Sequence, residues 1–529
     1  MKQRLTVVLL VLISLMIFPN TVFACTSFIA GKNTTVDGSV ISVHNEDLSA
    51  NTCQVVQVIP AKKFKKNEVE YLGSGQPLPY VAETYKTIQF NSDCPVGDAK
   101  LDYNLANPNY LNEFGVCSWD DAMTPRTEFL TIENNNTQLV DSRELKSVPI
   151  SRAKTAREAV QILGSLVDTF GFMQSGMCYG IADPQEGWIV EVLKGKHWVA
   201  QRVPDDMIVM RSNSLRIGNV DLSDTANFMG SSDLVSFAQA QGWYNPSSGP
   251  FNFCAAYASP SSMVAASNTY RERAGLSFFK PSAAATYDIN NPATFYERGV
   301  GDGVVPDNKI SIVDAMKFER QHYEGTDADL TQGYVKGSPH WTANRVICVD
   351  TTCSSSVIQL RSALGTLPAD IANVLWRTDS TPCTSVYVPW YVGITEAPAD
   401  FTTGEASNPD PSESAWWTYR LLNNQVNAHY MEFIPKVRGG VTAKALFSGD
   451  IVGFDKIESD LLANQAAFEA QALNIYQTKP NKLADPNKLA DALTDYCGAK
   501  ALYALGQARQ MLTRLTLDAV TGSWKYLGH

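Results

Sequence analysis

Between Thr26 and Val43 two short apolar runs, Ser27-Phe28-Ile29-Ala30 and Ser39-Val40-Ile41-Ser42-Val43, flank a turn-rich stretch from Gly31 to Gly38. Runs of this length bounded by turn residues predict a hairpin, so this part of the chain begins inside a sheet. Farther on, Cys178 to Ala182, a turn at Asp183-Pro184-Gln185-Glu186-Gly187, and Trp188 to Val192 predict a second hairpin. His197 to Val203 and Met207 to Arg211 continue it as strands, and Ser354 to Leu360 and Ser385 to Val392 are strand-like as well. The period changes at Thr155-Ala156-Arg157-Glu158, a capping box, after which Ala156, Ala159, Val160, Leu163, Val167 and Phe170 recur at helical spacing. Hairpin-joined strands form antiparallel sheets. Helices placed between runs of strands therefore predict a layered α+β architecture rather than a parallel doubly wound sheet.

From Asp400 to Ser414 the chain is rich in Pro, Gly, Thr and Asp, which predicts a long surface loop or a boundary. Beyond it the pattern turns helical, at Ile457 to Tyr476 and Leu489 to Leu515. Between these helices Pro480-Asn481-Lys482-Leu483-Ala484-Asp485 is repeated at once from Pro486 to Asp491, and a proline in each copy predicts an extended connecting loop. Trp416, Trp417, Tyr419, Tyr430 and Phe433 read as core aromatics on a helix face.

The N-terminus has a separate pattern: basic Lys2 and Arg4, an apolar run from Leu5 to Phe18, Pro19-Asn20-Thr21, and small residues at the −3 and −1 positions before Cys25. This predicts a secretory signal peptide, too short and wrongly flanked for a stable membrane span, and hence a secreted or periplasmic protein. A cut after Ala24 leaves 505 of 529 residues and takes the formal charge from −11 to −13, because Lys2 and Arg4 leave with the leader. An acidic chain of this kind argues against nucleic acid or anionic membrane as the partner. After the leader no uninterrupted apolar stretch is long enough to cross a bilayer.

Ten cysteines are present, and with Cys25 set aside an odd number remains, so not all can pair. Export makes some disulfides expected, with Cys348–Cys353 and Cys53–Cys94 as plausible partners and the connectivity open. No C-x-x-C pair occurs, the cysteines lack zinc spacing, and His322, His340, His429 and His529 are scattered without metal spacing. His197 precedes Trp198 in a strand and is expected to pack. Phosphate-loop, zincin and dinucleotide fingerprints are absent, so neither cofactor nor metal is expected.

Signal cleavage would make Cys25 the first residue, and an N-terminal cysteine carries its own general base, an α-amine with a pKa of about 8 within reach of its thiol. The first strand pair ends in His44-Asn45-Glu46-Asp47, and a hairpin folds these residues back beside the chain start. Cys25-Thr26-Ser27-Phe28, Asp37-Gly38-Ser39 and Asn45-Glu46-Asp47 resemble the N-terminal block of the dipeptidases of peptidase family C69, among the N-terminal-nucleophile (Ntn) hydrolases. The resemblance extends through Asn112-Glu113-Phe114-Gly115-Val116, Ala182-Asp183-Pro184 with Gly187-Trp188, the run from His197 to Asp206, and Tyr387 to Gly393.

That resemblance implies a four-layer αββα sandwich, here with a helical C-terminal extension: a leader over 1–24, a catalytic domain over 25–400, and helices over 401–529 packed on it. It implies a cysteine dipeptidase acting on dipeptides or short peptides through a thioester on Cys25. Asp47 would fix the cysteine, Asn112 would supply an oxyanion-hole N–H, Asn213 would contact the cysteine amine, and Arg271, favoured slightly over Arg273, would lie near the nucleophile. In one departure, His44 stands where related acylases have arginine. A titratable group thereby replaces a permanent charge, unless Arg271 supplies it. An N-acyl amidase of the bile salt hydrolase or penicillin V acylase type is a second reading. A non-catalytic lipoprotein or binding protein is a third, against which Phe23 is bulky for a lipoprotein signal. Side-chain preference and homo-oligomer formation stay open.

Overall fold

In a computed structural model the chain is described at residues 25–48, 52–92, 110–133, 139–284, 303–324, 326, 328–329, 338–341, 345–405, 407–442, 450–477 and 487–526. The leader, Cys94 and most of the hexapeptide repeat lie outside these residues. The strands of the two large sheets are β1 (Thr26–Ala30), β2 (Val40–Asp47), β3 (Gln54–Ile59), β4 (Thr87–Ser92), β5 (Tyr110–Asn112), β6 (Cys117–Ala122) and β7 (Phe172–Ala182). They continue with β8 (Gly187–Gly195), β9 (His197–Val203), β10 (Ile208–Arg211), β11 (Phe228–Gly230), β12 (Thr352–Leu360), β13 (Val374–Asp379) and β14 (Val388–Tyr391). One sheet has the order β10-β1-β2-β12-β13-β14 and the other β11-β9-β8-β7-β6-β5-β4-β3. All their pairings are antiparallel, as the hairpin pattern predicts.

Helices α1 (Glu144–Arg152) and α2 (Ala156–Phe170) cover the outer face of the eight-stranded sheet. The predicted start of α2 is present: the Thr155 side chain accepts from the Glu158 backbone N–H. Helices α3 (Ala266–Phe279), α4 (Ile312–Glu319), α5 (Ala415–Ala428), α6 (Phe454–Gln477) and α7 (Lys488–Tyr526) cover the outer face of the six-stranded sheet. The order helix, sheet, sheet, helix makes a four-layer αββα sandwich.

Side-chain alternation along the strands explains the sequence pattern. In β8 Trp188, Val190 and Val192 face α1 and α2, while Ile189 and Leu193 face the other sheet. With both faces buried, the strand reads as a continuous apolar run rather than an alternating one. Strand β13, in the six-stranded sheet, was not predicted. Trp416, Trp417 and Tyr419 are buried on α5, as expected.

Glycine permits close packing both within the eight-stranded sheet and between the two sheets. A Cβ on Gly180 of β7 would stand 2.1 Å from the ring of Trp119 on β6, and one on Gly187 would stand 2.5 Å from Ile29 of β1. One expected disulfide needs correction: Cys348 and Cys353 are not bonded to each other, the Cys353 thiol donating to the Glu46 carbonyl at 3.4 Å and Cys348 lying beside His340, while the expected Cys53–Cys94 pair involves a residue outside the described ones.

Candidate active site

Register places the residues around Cys25. Thr26 pairs with Asn45 and Ser27 with His44, so the next step along β1 and β2 sets Cys25 against Glu46. Alternation then puts Ser27, His44 and Glu46 on the face toward β6, and Thr26, Asn45 and Asp47 on the face toward α3 and α4. The cluster forms where β1 begins, β2 and β6 end, the chain leaves β10, and β12 starts.

Cys25 is 4% exposed. Its thiol lies 3.5 Å from Glu46 Oε1 and accepts the Asp47 backbone N–H at 3.4 Å. Cys25 Sγ, a His44 ring nitrogen and a Glu46 oxygen all lie within 4.8 Å of one another. Burial, then the charges of Glu46, Asp121 and Asp47, push the thiol well above its usual range, against the Asp47 N–H. Glu46 is itself pushed up to about 7, chiefly by burial. With a peptide bond still on its nitrogen, Cys25 is therefore a neutral thiol in a pocket rich in carboxylates.

The His44 ring is fully buried and stacks on Trp119 with centroids 5.9 Å apart. Its Nε2 lies 3.3 Å from Asp121 Oδ1 and 3.1 Å from the Asp120 carbonyl, both acceptors, so Nε2 carries the hydrogen. Burial opposes the charged form. The Asp121 hydrogen bond and the charges of Glu46, Asp121 and Asp120 nevertheless hold His44 above its ordinary pKa. The second Asp121 oxygen accepts Ser27 Oγ at 2.5 Å.

Arg271 of α3 reaches in from the helical layer. Its Nη1 donates to the Cys25 carbonyl and, at 3.2 Å, to Thr26 Oγ1; Nη2 donates to Asn213 Oδ1 and Asn268 Oδ1, each at 2.9 Å. Burial, then Arg345, lowers its pKa to about 10, which leaves it a cation at neutral pH. Asn213 Nδ2 donates to the Ala122 carbonyl at 2.9 Å, so this residue ties the end of β6 to Arg271. Of the two arginines expected near the nucleophile, Arg271 touches Cys25.

Two expectations differ from the geometry. Asp47 presents its backbone to the thiol, while its carboxylate pairs with Arg345 and accepts Thr352 Oγ1 at 2.5 Å; the carboxylate on the thiol is Glu46. Asn112 requires a correction. It sits at the β5–β6 hairpin, at the other end of β6 from Asp121, where its amide donates to the Ile150 and Ala153 carbonyls at 2.7 and 2.8 Å. Its oxygen accepts the Phe114 and Val116 N–H groups, each at 3.0 Å. With both donors occupied it locks the hairpin onto α1 and has no N–H for an oxyanion.

Sequence reasoning missed Asp121, Arg345 and Asn268. Asp121 stands in Trp119-Asp120-Asp121, and the strand period of β6 could have shown that Trp119 and Asp121 share a face. Arg345 lies in a segment without periodicity and has no such signal.

The profile of peptidase family C69 matches residues 24–442. A probable dipeptidase of Salmonella dublin is 30% identical over 387 residues, covering 70% of this chain and 82% of its own. Probable dipeptidase B of Streptococcus pyogenes serotype M1 is 27% identical over 431 residues, covering 78% and 81%. Among solved structures, a mutant conjugated bile acid hydrolase from Clostridium perfringens aligns with a TM-score of 0.30 at 10% identity, over 67% of this chain and 89% of its own. No helix among the described residues is long and apolar enough to cross a membrane.

Proposed function

The chain belongs to peptidase family C69, and from that premise we propose that it is an exported cysteine dipeptidase whose nucleophile is Cys25, set free by removal of residues 1–24. The observation that carries this reading is the setting of Cys25: its carbonyl is clasped by Arg271, and its thiol lies between the Glu46 carboxylate and the Asp47 N–H. Glu46, Asp47 and Asp121 are all buried, and they supply the negative charge that an α-ammonium at Cys25 would neutralise. Cleavage ahead of Cys25 replaces a peptide nitrogen by an amine of pKa about 8, a base next to the sulfur.

The reaction then follows from this chain's own groups. The α-amine takes the thiol proton and the thiolate attacks the substrate amide carbonyl. The leaving amine collects the proton, and water hydrolyses the resulting thioester to return the free thiol. Arg271, itself held by Asn213, keeps the cysteine backbone in place, and histidinium at His44 favours the thiolate. The helices from residue 401 on are proposed as an extension of the catalytic part, packed on it.

Intact mass and N-terminal sequencing of the exported protein, followed by dipeptide hydrolysis assays, test the proposal. A chain beginning at unmodified Cys25 that hydrolyses unblocked dipeptides is expected. Cys25→Ser should lower kcat/KM by at least about a thousandfold, the scale of losing a nucleophile. An N-terminus elsewhere, a lipid on Cys25, or turnover only of N-acyl amino acids would each refute it.

A further inference from the structure

A second cluster of reactive side chains lies apart from Cys25. His322 follows α4, His340 sits in a short 3-10 turn (Pro339–Trp341), Cys348 precedes β12, and Cys383 sits in a 3-10 turn (Pro382–Thr384) after β13. All four side chains are buried, and one ligand atom from each lies within 4.8 Å of the others. His322 Nε2 is 2.9 Å from His340 Nε2, which lies 3.4 Å from Cys383 Sγ and 3.8 Å from Cys348 Sγ.

The outer hydrogen bonds fix which ring nitrogens face inward bare. Asn427 donates its amide to Asp350 Oδ1 at 2.6 Å, which orients its oxygen toward His340 Nδ1, 2.7 Å away. Amide oxygen only accepts, so His340 Nδ1 carries the hydrogen and Nε2 has a free lone pair. His322 Nδ1 lies 2.8 Å from Glu324 Oε1, and the same argument leaves its Nε2 bare. In the neutral imidazoles these two lone pairs aim at one another inside the buried cluster and repel unless a proton or a metal cation lies between them, and two thiols complete the ring around that point.

We propose that His322, His340, Cys348 and Cys383 form a structural zinc site. Two imidazole nitrogens and two thiolates are a donor set that suits tetrahedral zinc. With Zn–N of about 2.0–2.1 Å and Zn–S of about 2.3 Å, the edges of such a tetrahedron run to about 3.3–3.8 Å. The observed 3.4 and 3.8 Å match, and the histidine pair opens by a few tenths of an ångström. Four protein ligands leave no position for water or substrate, which makes the site structural rather than catalytic. Glu324 and Asn427 orient the imidazoles, as outer partners of zinc-bound histidines do. The ligands are separated by 18 residues from His322 to His340, 8 from His340 to Cys348 and 43 from His340 to Cys383, so no compact motif announces them. Three come from the segment between α4 and β12, which also carries Arg345, the partner of Asp47. Zinc would staple that segment to the turn after β13.

The inference is independent of the reaction assigned to Cys25, and its test needs no activity. The full-length exported protein, prepared without chelators or metal-affinity resin, should contain about one zinc per chain by elemental mass spectrometry. Cys348→Ser and Cys383→Ser should each lower bound zinc at least about tenfold. Should these variants fail to fold, wild-type protein decides: an organomercurial should release the zinc with two thiols titrated per metal. Cobalt-exchanged protein should show the strong visible bands of a tetrahedral thiolate site. The proposal is overturned if the reduced protein neither holds nor takes up zinc, if both serine variants retain it, or if peptide mapping finds a native Cys348–Cys383 disulfide.

Discussion

At Cys25 the decisive quantity is charge. The charges of three buried carboxylates, Glu46, Asp121 and Asp47, act on the thiol, and the cations that answer them are Arg271, Arg345 and a histidine that titrates. His44 is held above its unfolded value of about 6.5, so the stabilisation it gives is complete below that pH and is lost as pH rises through the raised value. The same loss of charge should appear in activity as a fall of kcat/KM on the alkaline side. His44→Arg should carry activity to higher pH, and His44→Gln should lower the neutral plateau about tenfold or more, the scale of one charge-assisted contact. A pH–rate profile of wild type and both variants checks this; identical profiles for wild type and His44→Arg would remove His44 from the reaction. His44 and Asp47 were legible because a hairpin returns them to the chain start at a fixed register. The role given to Asn112 came from the family resemblance of its block, whereas its amide is consumed by two carbonyls that sequence does not locate.

Among the elements, β6 and β7 set the position of His44. Trp119 lies over Gly180, donates its indole N–H to Ser42 Oγ at 3.1 Å and stacks on His44. Gly180→Ala would drive a methyl group into the indole, and relief requires Trp119 to move toward His44. A loss of roughly 1–3 kcal/mol is expected from overpacking, read as a lower urea midpoint at unchanged slope. Changed alkaline-side activity should accompany it. A stability change without any change in the pH profile would show that the tryptophan does not position the histidine. The hairpin, α2 and the late helices were readable from local periodicity. Strand β13 and helices α3 and α4 were not predicted from the sequence. Arg271 and Phe279 of α3 face the sheet and Tyr270 is partly buried, so charged and aromatic residues share the stripe that an apolar pattern would occupy.

Across the whole molecule, α7 closes the outer face of the six-stranded sheet. Leu493, Cys497, Ala501, Leu505, Ala508, Met511 and Leu515 are all buried in the same core as β14. Each large apolar side chain contributes about 1.5–3 kcal/mol on burial. Losing the whole row rivals the roughly 5–15 kcal/mol by which domains are stable. A chain ending at 487 should therefore fail to fold, and the full-length protein should melt in one calorimetric transition. Two separated transitions would mark residues 401–529 as an independent unit. The sequence by itself determined what is local or carried by contiguous motifs: the hairpins, the capped helix, the leader pattern, and the blocks that resemble peptidase family C69. Tertiary structure alone decided which distant side chains meet. Arg271 and Asp121 lie 246 and 96 positions from Cys25, and Arg345 lies 298 positions from its partner Asp47. The four candidate zinc ligands likewise gather from across the chain. Periodicity reports which face of an element is buried. It carries no information about which other buried face lies opposite, and that is settled by the packing of the layers.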